Sequence, residues 1–212
     1  MRARYWVSVL LSVCNGVSAC QVPPDALPAF GTVHLPGVGL NLISGDSESL
    51  TALRATDASV AWRYTPHKRR TLEFAKSPGP YITCPPRITA DRLLMVPFTD
   101  KIVALNAETG VERWVHEYRT RADVTICPAI APDSSVVYVS PNTAGGRSIL
   151  VKLDRLGQRQ WLRKLPEIGR VEQAPAVDVG TGDVFATTRT HIVSVNPRGK
   201  VNWIRKRPTE GG

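Results

Sequence analysis

Four cysteines carry the most reactive side chains of this 212-residue chain: Cys14, Cys20, Cys84 and Cys127. No two of them are adjacent. Cys84 and Cys127 each stand directly before a proline in segments of similar sequence, and an exported protein could join them in a disulfide. Such a bond needs Cα atoms within about 7 Å, and equivalent positions in neighbouring repeats can lie farther apart. A disulfide and two buried free thiols are therefore alternative predictions.

Cys20 closes an N-terminal segment with the three-part pattern of an export signal. A basic front at 2–4 precedes an apolar run at 6–13, and small residues follow at 16–20. The apolar run is too short to span a bilayer as a mature helix. The pattern predicts that residues 1–19 form a signal peptide; an unprocessed apolar N-terminus of a gene fragment is the alternative.

The residues around Cys20 allow two kinds of processing. Val-Ser-Ala-Cys at 17–20 resembles a bacterial lipobox, in which the cysteine is lipidated, and Gln21 would then imply the outer membrane. The same residues fit an ordinary signal-peptidase site after Ala19, which would give a plainly secreted protein. Residues 20–37 are predicted to be a proline-containing tether and a first strand.

Residue types typical of catalysis or metal binding do not form a recognisable constellation. His34, His67, His116 and His191 are isolated and lack metal-ligand spacing. The sequence shows no carboxylate cluster for calcium, no glycine-rich phosphate loop and no nucleophile elbow. We therefore predict no catalytic, cofactor-binding or metal-binding residues, and no enzymatic activity.

The positive charge is scattered over the chain. The formal net charge is +9, with only two tight clusters, one at 205–207 and one that includes Lys68, Arg69 and Arg70. Because no aromatic residues accompany them for stacking on bases, nucleic acid is not a predicted partner. The second cluster lies in the longest connection, 63–80, and is our candidate contact loop for another protein. A variable surface loop is the alternative.

Tryptophans mark the elements that would position these residues. Trp62, Trp114, Trp161 and Trp203 are separated by 52, 47 and 42 residues, which is the spacing of a four-stranded propeller blade. Each follows a short apolar run, a turn and a second run that carries the tryptophan. A tryptophan buries roughly 200 Å², so it can fill the gap between radially packed sheets.

The turn before each tryptophan has its own pattern. Gly110, Gly157 and Gly199 lie four residues before a tryptophan, where a tight hairpin often needs positive φ. The first unit is degraded, because Arg54 and Ala58 stand at the corresponding turn positions. In the other units, a residue whose side chain can bond the backbone amides ahead of it opens the turn: Asn106, Asp154 and Asn196.

The repeats predict an all-β fold, a β-propeller of about four four-stranded blades in a partial or open ring. The abundance of proline and glycine, 17 and 16 residues, also favours short strands joined by turns. Residues 38–207 would form the blades and 208–212 a tail. In three units a similar tetrapeptide precedes the β-rich run and so marks the same point of the repeat: 82–85, 125–128 and 172–175.

Residues Ala104–Trp114 resemble the tryptophan-docking repeat of PQQ-like (quinoprotein-type) propellers, Ala-x-Asp-x-x-x-Gly-x-x-x-Trp, with Asn106 in place of Asp. Quinone-dependent dehydrogenases of that family bind a quinone and calcium beside an adjacent cysteine pair. Other members, such as BamB-like outer-membrane assembly lipoproteins, are docking proteins without enzymatic activity. Since the cysteines here are not neighbours, the second kind is the closer match in character.

The resemblance implies an exported protein-binding scaffold without a cofactor that acts in envelope assembly, as a lipoprotein if Cys20 is lipidated. Its location would be the periplasm or outer membrane if bacterial, with a lipid anchor as the only membrane contact. The alternatives are a fragment or divergent relative of a PQQ-dependent dehydrogenase, and a sensor propeller for a ligand or polysaccharide.

Four units are fewer than the seven or eight blades that usually close such a ring. Three arrangements follow from the sequence: a small or open four-unit propeller, a partial chain, or a half ring completed by a second copy. The last would make self-association part of the function. An open end would expose a blade face and unpaired strand edges.

Overall fold

The computed structural model describes residues 33–35, 37–46, 49–67, 82–118, 126–142, 147–165, 170–171 and 173–207. All regular structure in these residues is β, in sixteen strands that form four separate four-stranded sheets. Neighbouring strands are antiparallel in every sheet. The predicted all-β fold, a partial or open propeller of four blades, is confirmed.

Each blade is one sheet whose strands follow in chain order. Blade 1 comprises β1 (Val33–Leu35), β2 (Leu40–Asp46), β3 (Ser49–Arg54) and β4 (Val60–Tyr64); blade 2 comprises β5 (Arg87–Ile88), β6 (Leu93–Pro97), β7 (Lys101–Asn106) and β8 (Glu112–Glu117). Blade 3 comprises β9 (Ala129–Ile130), β10 (Val136–Asn142), β11 (Arg147–Leu153) and β12 (Arg159–Leu165); blade 4 comprises β13 (Ala176–Val177), β14 (Val184–Thr187), β15 (His191–Val195) and β16 (Val201–Lys206).

The first strands of blades 2 to 4 are only two residues long. Each begins one or two residues after the proline that ends its marker tetrapeptide, at Arg87, Ala129 and Ala176. The first strands of blades 3 and 4, β9 and β13, also contact each other. The blades therefore approach one another at their first strands, while the tryptophan-bearing fourth strands lie at the other edge of each sheet.

The hydrophobic core lies between blades, and the middle strands of blade 2 contribute apolar side chains to it from both faces. Along β7, Val103 and Leu105 pack against blade 1, whereas Ile102 and Ala104 pack against blade 3. Three core clusters result, one at each junction of consecutive blades. This pattern explains why the middle strands read as continuous apolar runs rather than as alternating ones.

A β-bulge occurs at the same place in every blade, just before the turn that joins strands three and four. In each blade one residue of that turn has positive φ, between 56° and 82°: Ala58, Gly110, Gly157 and Gly199. The register shifts lie at Ala52/Leu53, Ala104/Leu105, Lys152/Leu153 and Ser194/Val195. Bulges increase local twist and bend a strand. All four hairpins are therefore built alike, including the degraded first one.

Candidate functional site: the faces between and beyond the blades

A tryptophan joins each blade to the next at the three internal junctions. In every case the indole N–H donates a hydrogen bond to a backbone carbonyl in the following blade's turn, one residue after the Asx position. The pairs are Trp62 Nε1 to the Ala107 oxygen at 3.2 Å, Trp114 Nε1 to Arg155 at 2.9 Å and Trp161 Nε1 to Pro197 at 2.9 Å. The indole N–H is thus paired at all three internal junctions, including the buried one of Trp62.

The turn glycines receive the tryptophan of the preceding blade. A Cβ at Gly110 would lie 2.6 Å from the Trp62 ring, at Gly157 2.6 Å from that of Trp114, and at Gly199 2.8 Å from that of Trp161. From the sequence we expected only the need for positive φ. The close approach is a second requirement, which the constant pairing of one glycine with one tryptophan per repeat could have indicated.

The Asx residues hold the turns as expected. The side-chain oxygen of Asn106 accepts hydrogen bonds from the amides of Glu108 and Thr109, both at 3.0 Å. Asp154 and Asn196 accept corresponding bonds in their own turns. The turn that receives a tryptophan is therefore held by hydrogen bonds from its own Asx side chain.

Blade 4 presents the fourth tryptophan on an open face. Trp203 is 38% exposed, whereas Trp62 is 8% exposed. Its ring leans on Phe185 of its own blade, with ring centroids 6.0 Å apart. The sequence assigned Trp203 the same docking role as the other three, but no blade of the described chain covers it. We call the surface formed by Phe185, Ile192 and Trp203 the outer face of blade 4.

Blade 1 ends the array with a different surface. Its side chains that point away from blade 2 include Asn41, Thr51 and Arg63, and the turn carries Ala58. Arg63 Nε donates to Thr51 Oγ1 at 3.2 Å, and Asn41 Oδ1 lies 2.9 Å from His34 Nδ1. We call this surface the outer face of blade 1.

A disulfide joins Cys84 and Cys127, with Cα atoms 5.6 Å apart. Free thiols, the alternative that the sequence left open, are not present in this structure. The bond forms because each cysteine lies just before the first strand of its blade, where successive blades approach most closely. It links the entrance of blade 2 to that of blade 3.

The candidate contact loop is anchored at both ends on one hairpin. Lys101 is buried at the start of β7, and its Nζ donates to the carbonyl oxygen of His67 at 2.6 Å. On the other side, Ile82 forms a β-bridge with Phe98, and the Thr83 amide donates to the Pro97 oxygen at 2.9 Å. Lys68, Arg69 and Arg70 themselves lie outside the described residues, as does Cys20.

Polar groups also tie neighbouring blades together. Asp91 of blade 2 accepts a hydrogen bond from the Ser134 hydroxyl of blade 3 at 2.7 Å. Partial burial raises the pKa of the Asp91 carboxyl, but hydrogen bonds from Thr89 and Ser134 outweigh this, and the pKa lies below its ordinary value of 3.8. At the first junction, the Tyr64 hydroxyl donates to Glu112 at 2.6 Å. Burial, followed by this hydrogen bond, raises the pKa of Tyr64.

A cleft of about 350 Å³ opens between blades 2 and 3. His116 and Tyr138 line it, with His116 Nε2 3.0 Å from the tyrosine oxygen. Next to it, Tyr118 is buried, and burial, with the Tyr138 and Asp100 charges, raises its pKa. Ser140 and Arg159 also line the cleft.

The described residues do not fit the calcium–quinone site that the dehydrogenase resemblance implies. No group of three or more His, Cys, Asp or Glu side chains in this part of the chain could hold a metal ion. Its one disulfide joins residues 43 apart in sequence rather than an adjacent pair. Nor does any helix of the described chain have the length and apolar character needed to cross a membrane.

Four-stranded blades, glycine turns and docked tryptophans together define a β-propeller of the PQQ-like repeat class. The family model "Outer membrane protein assembly factor BamB" matches residues 22–211. The chain therefore belongs to the BamB-like family of PQQ-like repeat proteins. No protein with a curated function matches its sequence significantly.

Solved structures share the fold at low sequence identity. BamB from Moraxella catarrhalis matches at 18% identity and a TM-score of 0.53, over 78% of this chain and 46% of that one. A europium-containing methanol dehydrogenase matches at 17% identity and a TM-score of 0.60, over 82% of this chain and 40% of that one. The quinohemoprotein alcohol dehydrogenase from Comamonas testosteroni matches at 16% identity and a TM-score of 0.60, over 82% of this chain and 34% of that one. The chain spans less than half the length of each.

Proposed function

We propose that this chain is an exported, non-enzymatic propeller-repeat scaffold that binds other proteins in the assembly of the cell envelope. The observation that carries the proposal is the outer face of blade 4. There Trp203 stands exposed in the position that, at three internal junctions, is covered by another stretch of polypeptide. A surface of this composition gains free energy by burial against protein.

Family membership supports the envelope setting. The matching family model carries the name of an outer-membrane assembly factor, and we extend that role to this chain as a proposal. A periplasmic or outer-membrane location agrees with the expected signal at 1–19 and with lipidation of Cys20. It also agrees with the Cys84–Cys127 disulfide, because disulfides persist in oxidising compartments.

The basic loop is the second proposed contact. The described residues that flank it, His67 and Ile82, are both held on one hairpin of blade 2, and Lys68, Arg69 and Arg70 follow His67 directly in sequence. Binding loops on rigid scaffolds are a common arrangement. Three positive charges would favour an acidic partner surface.

Affinity purification of the tagged chain from cross-linked cells tests the scaffold role. We expect envelope proteins to co-purify with the wild-type chain, and fewer of them with the Lys68→Ser/Arg69→Ser/Arg70→Ser variant. A matched control removes the same charge from three exposed basic residues outside both proposed contacts, Arg87→Ser/Arg113→Ser/Lys164→Ser. Recovery of the chain without envelope proteins would contradict the proposal.

A quinone-dependent dehydrogenase relative is the second candidate function. The specific observation in its favour is the match of 82% of the chain to two alcohol-oxidising enzymes at a TM-score of 0.60. A quinone chromophore on the purified protein, or dye-linked oxidation of an alcohol after addition of PQQ and calcium, would favour this candidate over the scaffold.

A further inference from the structure

Two positions on neighbouring fourth strands correspond at the three internal junctions. The first lies two residues after the tryptophan, and the second is the residue that begins the fourth strand of the following blade. The residues at these positions are Tyr64 and Glu112 at the first junction, His116 and Arg159 at the second, and Arg163 and Val201 at the third. The repeat thus places a different pair of side chains at each junction.

A carboxylate of the chain itself occupies this place at the first junction. The hydroxyl of Tyr64, which is partly buried, donates a hydrogen bond to Glu112 Oε2 at 2.6 Å. The first junction therefore shows which chemistry the repeat accepts here: a carboxylate that receives a hydrogen bond from the side chain two residues after the tryptophan.

The second junction has an arginine where the first has that carboxylate. Arg159 is exposed, and no carboxylate of the described residues forms a salt bridge with it. Arg159 and His116 both line the cleft of about 350 Å³ between blades 2 and 3. Since a guanidinium stays charged at neutral pH, the cleft has a permanent positive charge on its lining.

The rest of the cleft lining combines polar and apolar groups. The hydroxyls of Ser140 and Tyr138 can donate hydrogen bonds, and Tyr138 lies within hydrogen-bond distance of His116. The apolar part of the lining consists of Ile149, Val151 and Leu162. Apolar walls strengthen the attraction between a guanidinium and a bound anion, because they keep water away from both. Among the residues that line this cleft in the described chain, none is acidic.

From this comparison we infer that the cleft between blades 2 and 3 binds a carboxylate carried on a short apolar stem. The carboxylate takes the place that Glu112 has at the first junction and binds Arg159 and Ser140, while the stem contacts Val151 and Leu162. A planar carboxylate matches the parallel N–H groups of a guanidinium. A small organic acid and a glutamate side chain of another polypeptide share this chemistry. The site goes beyond the proposed function, since it does not require a scaffold role.

NMR titration of the purified, isotope-labelled full chain tests the inference. The probes are butyrate, its neutral isostere butyramide, inorganic phosphate, and N-acetylglutamate N-methylamide as a capped glutamate residue. We expect butyrate to shift the Arg159 Nε–H signal and the Ser140 backbone amide signal in a saturable way. Butyramide, which has the same shape without the charge, should leave both signals in place.

Substitutions at Arg159 separate its charge from its shape. Arg159→Gln should weaken butyrate binding at least about tenfold, a difference of about 1.4 kcal/mol, and Arg159→Lys should weaken it less, because the charge remains. Arg159→Glu should abolish binding, since it places a carboxylate of the chain itself in the cleft. The matched control Arg198→Gln removes the same charge from an exposed arginine of blade 4 and should bind butyrate like the wild type. Unchanged amide spectra outside the cleft check that each variant is folded.

The remaining outcomes either identify the source of the carboxylate or overturn the site. Tighter binding of the capped glutamate would indicate a polypeptide source, and tighter binding of butyrate a free acid; both support the inference. It is overturned if butyramide or phosphate shifts the same signals as strongly as butyrate, or if butyrate binds Arg159→Gln as tightly as the wild type. Because only the purified protein is used, a negative result would leave the cross-linking test of the scaffold role unaffected.

Discussion

Trp62 and Trp203 stand in the same repeat position and have opposite surroundings. Trp62 is packed under the turn of blade 2, bonded to the Ala107 carbonyl and almost fully buried. Trp203 lies on the outer face of blade 4. Among the aromatic residues of the described chain, the ring that it contacts is Phe185 of its own sheet. Local sequence builds the same hairpin in both cases.

The difference shows that the repeat motif specifies a surface and the neighbouring blade decides its burial. A tryptophan, a bulge and a positive-φ turn occur in all four blades. Stabilisation by the tryptophan requires a glycine turn next to it. Blade-to-blade free energies should therefore depend on pairs of units rather than on single ones.

The matched pair of substitutions Trp62→Ala and Trp203→Ala tests this comparison directly. We expect Trp62→Ala to lower the free energy of unfolding by about 3–5 kcal/mol, because it empties a closed junction. Trp203→Ala should cost less, about 1–2 kcal/mol, since Trp203 is 38% exposed and its burial comes from its own blade. Urea denaturation followed by circular dichroism gives both values. Equal losses would mean that Trp203 is already covered in solution.

The disulfide distinguishes the junction of blades 2 and 3 from the junction of blades 3 and 4, where Ala174 stands at the equivalent position. Cys84→Ala/Cys127→Ala should lower stability by about 2–4 kcal/mol, because the bond closes a long loop in the unfolded chain. Thermal melts with and without reductant measure the effect. The wild-type chain should lose stability on reduction, and the double variant should not respond. A reductant effect on the variant would argue against this assignment.

A smaller effect should come from the carboxylate that links the same two blades. The pKa of Asp91 is lowered in the folded state, so its contribution to stability is present above pH 4 and is lost as pH falls through the folded pKa. Asp91→Asn should cost about 1 kcal/mol or less at pH 7, because the carboxylate is largely solvent-exposed. It should also reduce the loss of stability between pH 5 and pH 3. Melts at these pH values, with Asp57→Asn as a control outside the junctions, measure the difference.

Strand positions could be read from the sequence because the repeat supplied several copies of each signal. The apolar runs at 102–105, 150–153 and 192–195 all lie within the third strands. Even the degraded blade 1 has all four strands. Agreement between copies compensates for the weakness of any single pattern.

The end faces could not be read in the same way, since they depend on register between strands. That Thr51 and Asn41 lie on one surface follows from the pairing of β2 with β3. The nearness of Cys84 and Cys127 depends on how neighbouring blades converge at their first strands. Composition alone shows neither. The second requirement for glycine at the turn becomes visible only when the docked tryptophans show what a Cβ would contact.

The hairpin that receives a tryptophan has one rigid half and one half of variable length. From the glycine position to the tryptophan the count is four residues in every blade, while the Asx residue precedes the glycine by four residues in blade 2 and by three in blades 3 and 4. Gene duplication followed by insertion or deletion can therefore change this repeat on the Asx side without moving the indole. One codon gained after the glycine would turn the tryptophan to the opposite side of its strand and separate two blades.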